Sequence, residues 1–126
     1  MKWKHKDLLD LDNLTAGEIN HILQTAVPMK EILSRPLKKL PTLRGKSVVL
    51  LFYESSTRTR TSFENAAKIL GADTTNFSVA QSSVNKGESL LDTAKTLQAM
   101  NVDLVIVRHA SSGSAEFLAN ILKAGV

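Results

Sequence analysis

Residues 47–52, Ser47-Val48-Val49-Leu50-Leu51-Phe52, are apolar almost without interruption and without alternation, the pattern of a strand covered on both faces. Helical spacing appears on either side of it. Thr15-Ala16-Gly17-Glu18 has the form of a capping box, and Ile19, Ile22, Leu23 and Ala26 follow it, so a first helix should start near Thr15. Pro28 removes a main-chain donor and crowds the preceding turn, which predicts a kink or break in a helix that otherwise reaches about Ser34. Arg35 to Arg44, with Pro36 and Pro41, reads as a surface connection whose charges form a solvated face. Phe63, Ala66, Ala67 and Leu70 predict a second helix from Thr57 to Leu70, with Gly71 placed for a left-handed cap. Asp73 to Val79 reads as a more polar strand nearer an edge. Leu90, Ala94 and Leu97 make one stripe of a third helix over Glu88–Met100, with acids near its start. Asp103–Val107 is a third strand, and Ser114–Lys123 a fourth helix, closed by Gly125.

Strands alternating with helices at short spacing require right-handed crossovers and a parallel sheet. The expected fold class is therefore α/β: a doubly wound parallel sheet of three strands in the order 2-1-3, with helices on both faces. All strand C-termini then share one edge, and the switch point between strands one and three is where a ligand belongs.

Composition narrows the function classes. The chain has 126 residues, enough for one domain with a real core, and a hydrophobic share of 43% argues against disorder. Sixteen basic and twelve acidic residues give +4, but much of the excess sits in Met1-Lys2-Trp3-Lys4-His5-Lys6, and there is no nucleic-acid-reading motif. Without cysteine there is neither a disulfide frame nor a thiolate metal site, and His5, His21 and His109 lack zinc spacing, so no metal or cofactor is expected. No signal peptide or membrane-length apolar run is visible, which points to the cytoplasm.

The chemistry concentrates where strand one hands over to helix two, in Glu54-Ser55-Ser56-Thr57-Arg58-Thr59-Arg60-Thr61-Ser62-Phe63-Glu64. A helix beginning there aims unpaired N–H groups and the positive end of its dipole past the turn, which suits an anion. Ser56, Thr57 and Thr59 add hydroxyl donors, and Arg58 or Arg60 adds a planar fork matched to phosphate oxygens. Taken singly, Ser56 or Thr57 is explained by helix capping. Taken together, three hydroxyls and two arginines exceed what a cap requires. Arg108, at the end of strand three, either pairs with a carboxylate such as Glu54 or joins this cluster. The loop from Ala80 to Gly87 reads on spacing alone as an exposed surface loop with an ordinary lysine.

This run resembles the carbamoyl phosphate motif of the aspartate and ornithine carbamoyltransferases, Ser-Thr-Arg-Thr-Arg followed by Ser-Phe-Glu. Ser82-Ser83-Val84-Asn85-Lys86-Gly87-Glu88-Ser89 and Val107-Arg108-His109 resemble the aspartate branch in particular. Ser55 and Thr61 depart from residues common in related sequences without touching the core of the motif. The resemblance implies that Ser56, Thr57, Arg58, Thr59 and Arg108 bind carbamoyl phosphate, with Arg58, Thr59, Arg108 and Lys86 carrying the catalysis. It implies that Ser82 (or its neighbour Ser83) and Lys86 reach into an adjacent subunit's site, hence a homotrimer with shared active sites. It also implies that Glu54 bridges two domains on closure, and it leaves His109 a structural role. Residues 1–126 are then expected to be a carbamoyl phosphate-binding domain, truncated before an amino-acid-binding domain that would take L-aspartate. Regulatory or other pyrimidine-pathway subunits are further expected partners, and the fragment alone is expected to be nearly inactive, with an exposed apolar patch. Membership of the ornithine branch and a noncatalytic anion-binding assembly module are the competing readings.

Overall fold

The computed structural model describes residues 1–78 and 89–126. Ser82 and Lys86, and the predicted strand and helix ends at Val79 and Glu88, lie outside the described residues. Within them the order is α1 (Ala16–Ile32), β1 (Ser47–Phe52), α2 (Thr57–Ile69), β2 (Asp73–Ser78), α3 (Leu90–Ala99), β3 (Leu104–Arg108) and α4 (Ser114–Ile121).

The three strands form one parallel sheet in the order β2-β1-β3, as the pattern predicts. Registers run from Ser47↔Asp73 to Phe52↔Ser78 on one flank of β1 and from Val48↔Leu104 to Phe52↔Arg108 on the other. β1 is central, and all its residues after Ser47 are buried, which accounts for its unbroken apolar run. Its side chains alternate between two cores. Val49 and Leu51 join Val105 beneath α3 and α4, whose Ala94, Leu97 and Leu118 are fully buried. Val48 faces the other way, toward Ala67 of α2 and Ala72.

Helices thus cover both faces, but unequally. On the α2 side only Ala67 of the predicted stripe is buried, while Phe63 is 45% exposed and Leu104 and Ile106 are half-buried. These side chains line an apolar trough of about 960 Å³ between α2 and α1, which contributes Ile22, Ala26 and Met29.

Helix ends follow their chemistry. Thr15 and Glu18 close a reciprocal capping box at α1, and Ser89 and Asp92 do the same at α3. Gly71 has φ +88°, and a Cβ there would lie 3.0 Å from the Leu40 carbonyl oxygen. Gly71→Ala should therefore cost on the order of 1–3 kcal/mol in thermal or denaturant unfolding, since both the left-handed backbone and the close approach oppose a side chain.

Two sequence expectations need correction. α1 is not broken at Pro28: it continues to Ile32. A proline forfeits one helical hydrogen bond, and the extra turn delivers Ile32, the only α1 residue that is fully buried. Nor does Gly125 close α4, which stops at Ile121, with Leu122 already extended (φ −82°, ψ 140°). Lys6 replaces the glycine cap: its Nζ donates to the carbonyls of Ala119, Leu122 and Ala124 at 3.0–3.1 Å, a cation on a helix C-terminus. Gly125 instead joins the outer edge of β3, where its carbonyl accepts the Val105 N–H at 2.8 Å.

Candidate functional site

The parallel sheet brings the C-terminal ends of β1 and β3 side by side. The Tyr53 N–H donates to the Arg108 carbonyl at 2.9 Å, extending the ladder one residue past β1. Beyond this bond the chain turns at Glu54 and Ser55 and enters α2. Arg108, the last residue of β3, folds its side chain back over the turn. Its Nε donates to Glu54 Oε2 at 3.1 Å, and a terminal nitrogen donates to Ser56 Oγ at 3.3 Å. The two motif segments, 52 residues apart for that contact, therefore meet at the predicted switch point.

The Ser56 hydroxyl does not cap α2. Ser56 is the N-cap residue, but its side chain makes no capping bond and accepts from Arg108 instead. The first turn of α2 also carries no acidic residue. Among the described residues no acidic side chain caps this helix, whereas a capping box satisfies the leading N–H groups of α1 and α3.

The two candidate arginines of α2 separate. Arg60 donates to Glu64 Oε2 at 3.0 Å and to Asn76 Oδ1 at 3.1 Å, and Glu64 also receives Lys68 and Asn76, so Arg60 belongs to a clamp between α2 and β2. Arg58 is exposed and has no hydrogen bond or ion pair among the described residues. Thr57 is exposed and Thr59 half-buried, the latter lining the same trough as Arg108. Glu54 is held by Arg108, with side chains 40% and 47% exposed, respectively.

The clamp has a pH signature. Hydrogen bonds from Lys68 and then Asn76, with the Lys68 and Arg60 charges, hold the Glu64 carboxyl below its ordinary 4.5. The unfolded chain binds this proton more readily, so the stabilisation is present above pH 4.5 and is lost as pH falls through the lower folded value. Melting temperature followed against pH in acid should accordingly fall less steeply in Glu64→Gln than in the parent. Equal slopes would remove Glu64 from the account.

His109 is half-buried on the opposite side of the β3 end. Its Nδ1 accepts the Ser111 N–H at 3.0 Å and lies 3.0 Å from Ser114 Oγ, and its ring lies 4.5 Å from that of Tyr53. Among the described residues no group of three or more His, Cys, Asp or Glu side chains is arranged to hold a metal.

Comparison with known proteins converges on one family. A model described as "Aspartate/ornithine carbamoyltransferase, carbamoyl-P binding domain" matches residues 6–126. The aspartate carbamoyltransferase catalytic subunit of Desulfitobacterium hafniense (strain DCB-2) is 70% identical over 126 residues, which are 100% of this chain and 40% of that protein. The catalytic subunit from Moorella thermoacetica is 61% identical over 126 residues, 100% of this chain and 41% of that one. The chain thus spans about 40% of the length of the curated relatives it matches. Among solved structures, the catalytic subunit of M. jannaschii aspartate transcarbamoylase superposes with a TM-score of 0.84 at 38% identity, covering 96% of this chain and 40% of that one. The Trypanosoma cruzi enzyme in complex with carbamoyl phosphate and aspartate also gives 0.84, at 30% identity, covering 95% and 37%.

Proposed function

Because the chain belongs to the aspartate/ornithine carbamoyltransferase family through its carbamoyl-phosphate-binding domain, we propose that it forms the carbamoyl phosphate half of an aspartate carbamoyltransferase active site. The observation that carries this reading is the meeting of Arg108 with Ser56 beside the uncapped start of α2. The site offers two guanidinium groups, three hydroxyls and a helix N-terminus at one sheet edge, and one small dianion with a carbonyl group uses all of them.

The amine of L-aspartate attacks the carbamoyl carbon, a new C–N bond forms, and the C–O bond to phosphate breaks as phosphate departs with the electron pair and takes up the proton that the amine loses. Negative charge builds first on the carbonyl oxygen and then on the phosphate. Arg108 and Thr59 serve the first, Arg58 the second, with Ser56, Thr57 and the α2 amides holding the phosphate throughout. Donors already in place strengthen as the charge grows, which lowers the barrier without a covalent intermediate.

Capture of the ligand competes with the Arg108–Glu54 pair. A half-exposed ion pair of this kind contributes roughly 0–1 kcal/mol, so an anion that engages Arg108 together with the other donors displaces Glu54 at little cost. Glu54 is then released, which gives it a carboxylate free to bridge to a second domain on closure.

Ser82 and Lys86 complete the site from a neighbouring subunit in this reading, which makes the working enzyme a homotrimer of cytoplasmic, pyrimidine-forming catalytic chains. Regulatory or other pathway subunits fit the same scheme. Transfer needs an amine-binding domain, so residues 1–126 alone bind weakly and turn over little. Similarity to named aspartate carbamoyltransferases supports L-aspartate over L-ornithine as the acceptor.

Calorimetric titration of the enzyme containing this domain with carbamoyl phosphate, followed by assay with each amine, tests the reading. Heat on titration and carbamoyl transfer to L-aspartate alone are expected. Transfer to L-ornithine would reassign the branch, and the absence of both heat and transfer would favour a noncatalytic assembly module.

A further inference from the structure

We propose that His109 is a positioning residue for anion capture: clasped between Tyr53 and the turn Ser111–Ser114, it sets where the adjacent Arg108 side chain stands. The proposal rests on the reading of Arg108 as a ligand for carbamoyl phosphate.

On the β1 side, Tyr53 N–H holds the Arg108 carbonyl at 2.9 Å. On the outer side, Leu104 and Val105 are bridged to Gly125 among the described residues. His109 adds a side-chain anchor just past Arg108. Ser111 N–H donates to Nδ1, which therefore keeps its lone pair and leaves the ring proton of the neutral imidazole on Nε2. Ser114 is buried, and its hydroxyl lies 3.0 Å from the same nitrogen and donates to the Ser111 carbonyl at 2.8 Å, so the turn closes on the ring.

The other side of the ring meets Tyr53, with centroids 4.5 Å apart and planes inclined by 57°. Two adjacent residue pairs thus cross the junction: Tyr53 with His109 on the α3–α4 side, and Glu54 with Arg108 on the ligand side. His109 follows the last residue of β3 and packs on Tyr53 while the Arg108 side chain engages Glu54 and Ser56, so His109 acts on the peptide from which Arg108 departs rather than on the ligand. Among the described residues the Tyr53 hydroxyl is buried without a hydrogen-bond partner, so the contact with His109 is made by the ring.

Variants of the full transferase carrying this domain test the idea through kinetics and crystal structures. His109→Leu fills space but offers no acceptor to Ser111. It should raise KM for carbamoyl phosphate about 10-fold or more, since displacement near 1 Å can cost about 100-fold in rate, and its structure should show Arg108 displaced from Glu54 and Ser56. His109→Asn, whose side-chain oxygen can accept the Ser111 N–H, should recover part of the loss, and Tyr53→Phe should match the parent. A folded His109→Leu enzyme with unchanged KM and Arg108 still on Glu54 and Ser56 would overturn the proposal, as would Asn performing no better than Leu. Should the parent enzyme fail to transfer carbamoyl groups, the substrate reading falls. The variant structures still decide whether His109 places Arg108.

Discussion

Arg108→Ala in the full-length transferase should lower carbamoyl transfer about 100- to 1,000-fold while leaving the fold intact. The functional loss follows from removing a charged donor from an oxygen that gains charge in the transition state, which costs about 3 kcal/mol in comparable oxyanion sites. The structural loss is smaller. Arg108 gives up an ion pair with Glu54 whose partners are 47% and 40% exposed, and solvent screening holds that contribution to roughly 1 kcal/mol or less. The measurement is kcat and KM for carbamoyl phosphate beside a melting curve of the same preparation. Arg108→Lys separates charge from geometry. It keeps the cation but loses the planar fork that reaches Glu54 and Ser56 together, so most of the defect should remain. Activity within a few-fold of the parent in Arg108→Ala would remove Arg108 from the chemistry.

Arg58→Ala should reduce turnover by a similar factor, on the order of 3 kcal/mol in the transition state, with no change in stability. The contrast with Arg60 sharpens this expectation. Arg58 is exposed and has no bonded partner among the described residues, so its removal breaks no contact there. Arg60→Ala opens the clamp to Glu64 and Asn76, and its effect should fall on stability with transfer largely retained. A double-mutant cycle for Arg58 and Arg108 measures whether the two act on one ligand. Groups that share a bound anion show coupling well above the few tenths of a kcal/mol found between independent sites. Retention of most of the turnover by Arg58→Ala would contradict its assignment to the departing phosphate.

The relation between Ser56 and Arg108 shows how far residue types alone carry. Ser56 before a helix suggests a cap, and Arg108 at a strand end suggests a carboxylate partner. The carboxylate expectation is met by Glu54, and the capping expectation is not, because the hydroxyl accepts from Arg108. Local sequence could not decide this, since the competing donor comes from another strand. Arg58 and Arg60 lie in one motif, and two partners draw Arg60 away: Glu64 one turn along the same helix, within local reach, and Asn76 on β2, which only the fold brings near. The anchoring of the β3 end by His109 was equally hidden. The serine turn that follows it was the available signal, but its meaning required the Tyr53 ring nearby.

The sequence by itself determined the elements, their alternation, the central place of β1 and the edge at which the site lies. Those features follow from periodicity, capping chemistry and the handedness of parallel crossovers, all of which act over short stretches of chain. That α1 runs through Pro28 to bury Ile32, that Lys6 caps α4, and that the Ser56 hydroxyl accepts from Arg108 rather than capping α2 emerged only from the folded arrangement. Each of these depends on what a distant segment donates or covers, and the energy of such contacts exceeds the small local preferences that a neighbouring residue can signal.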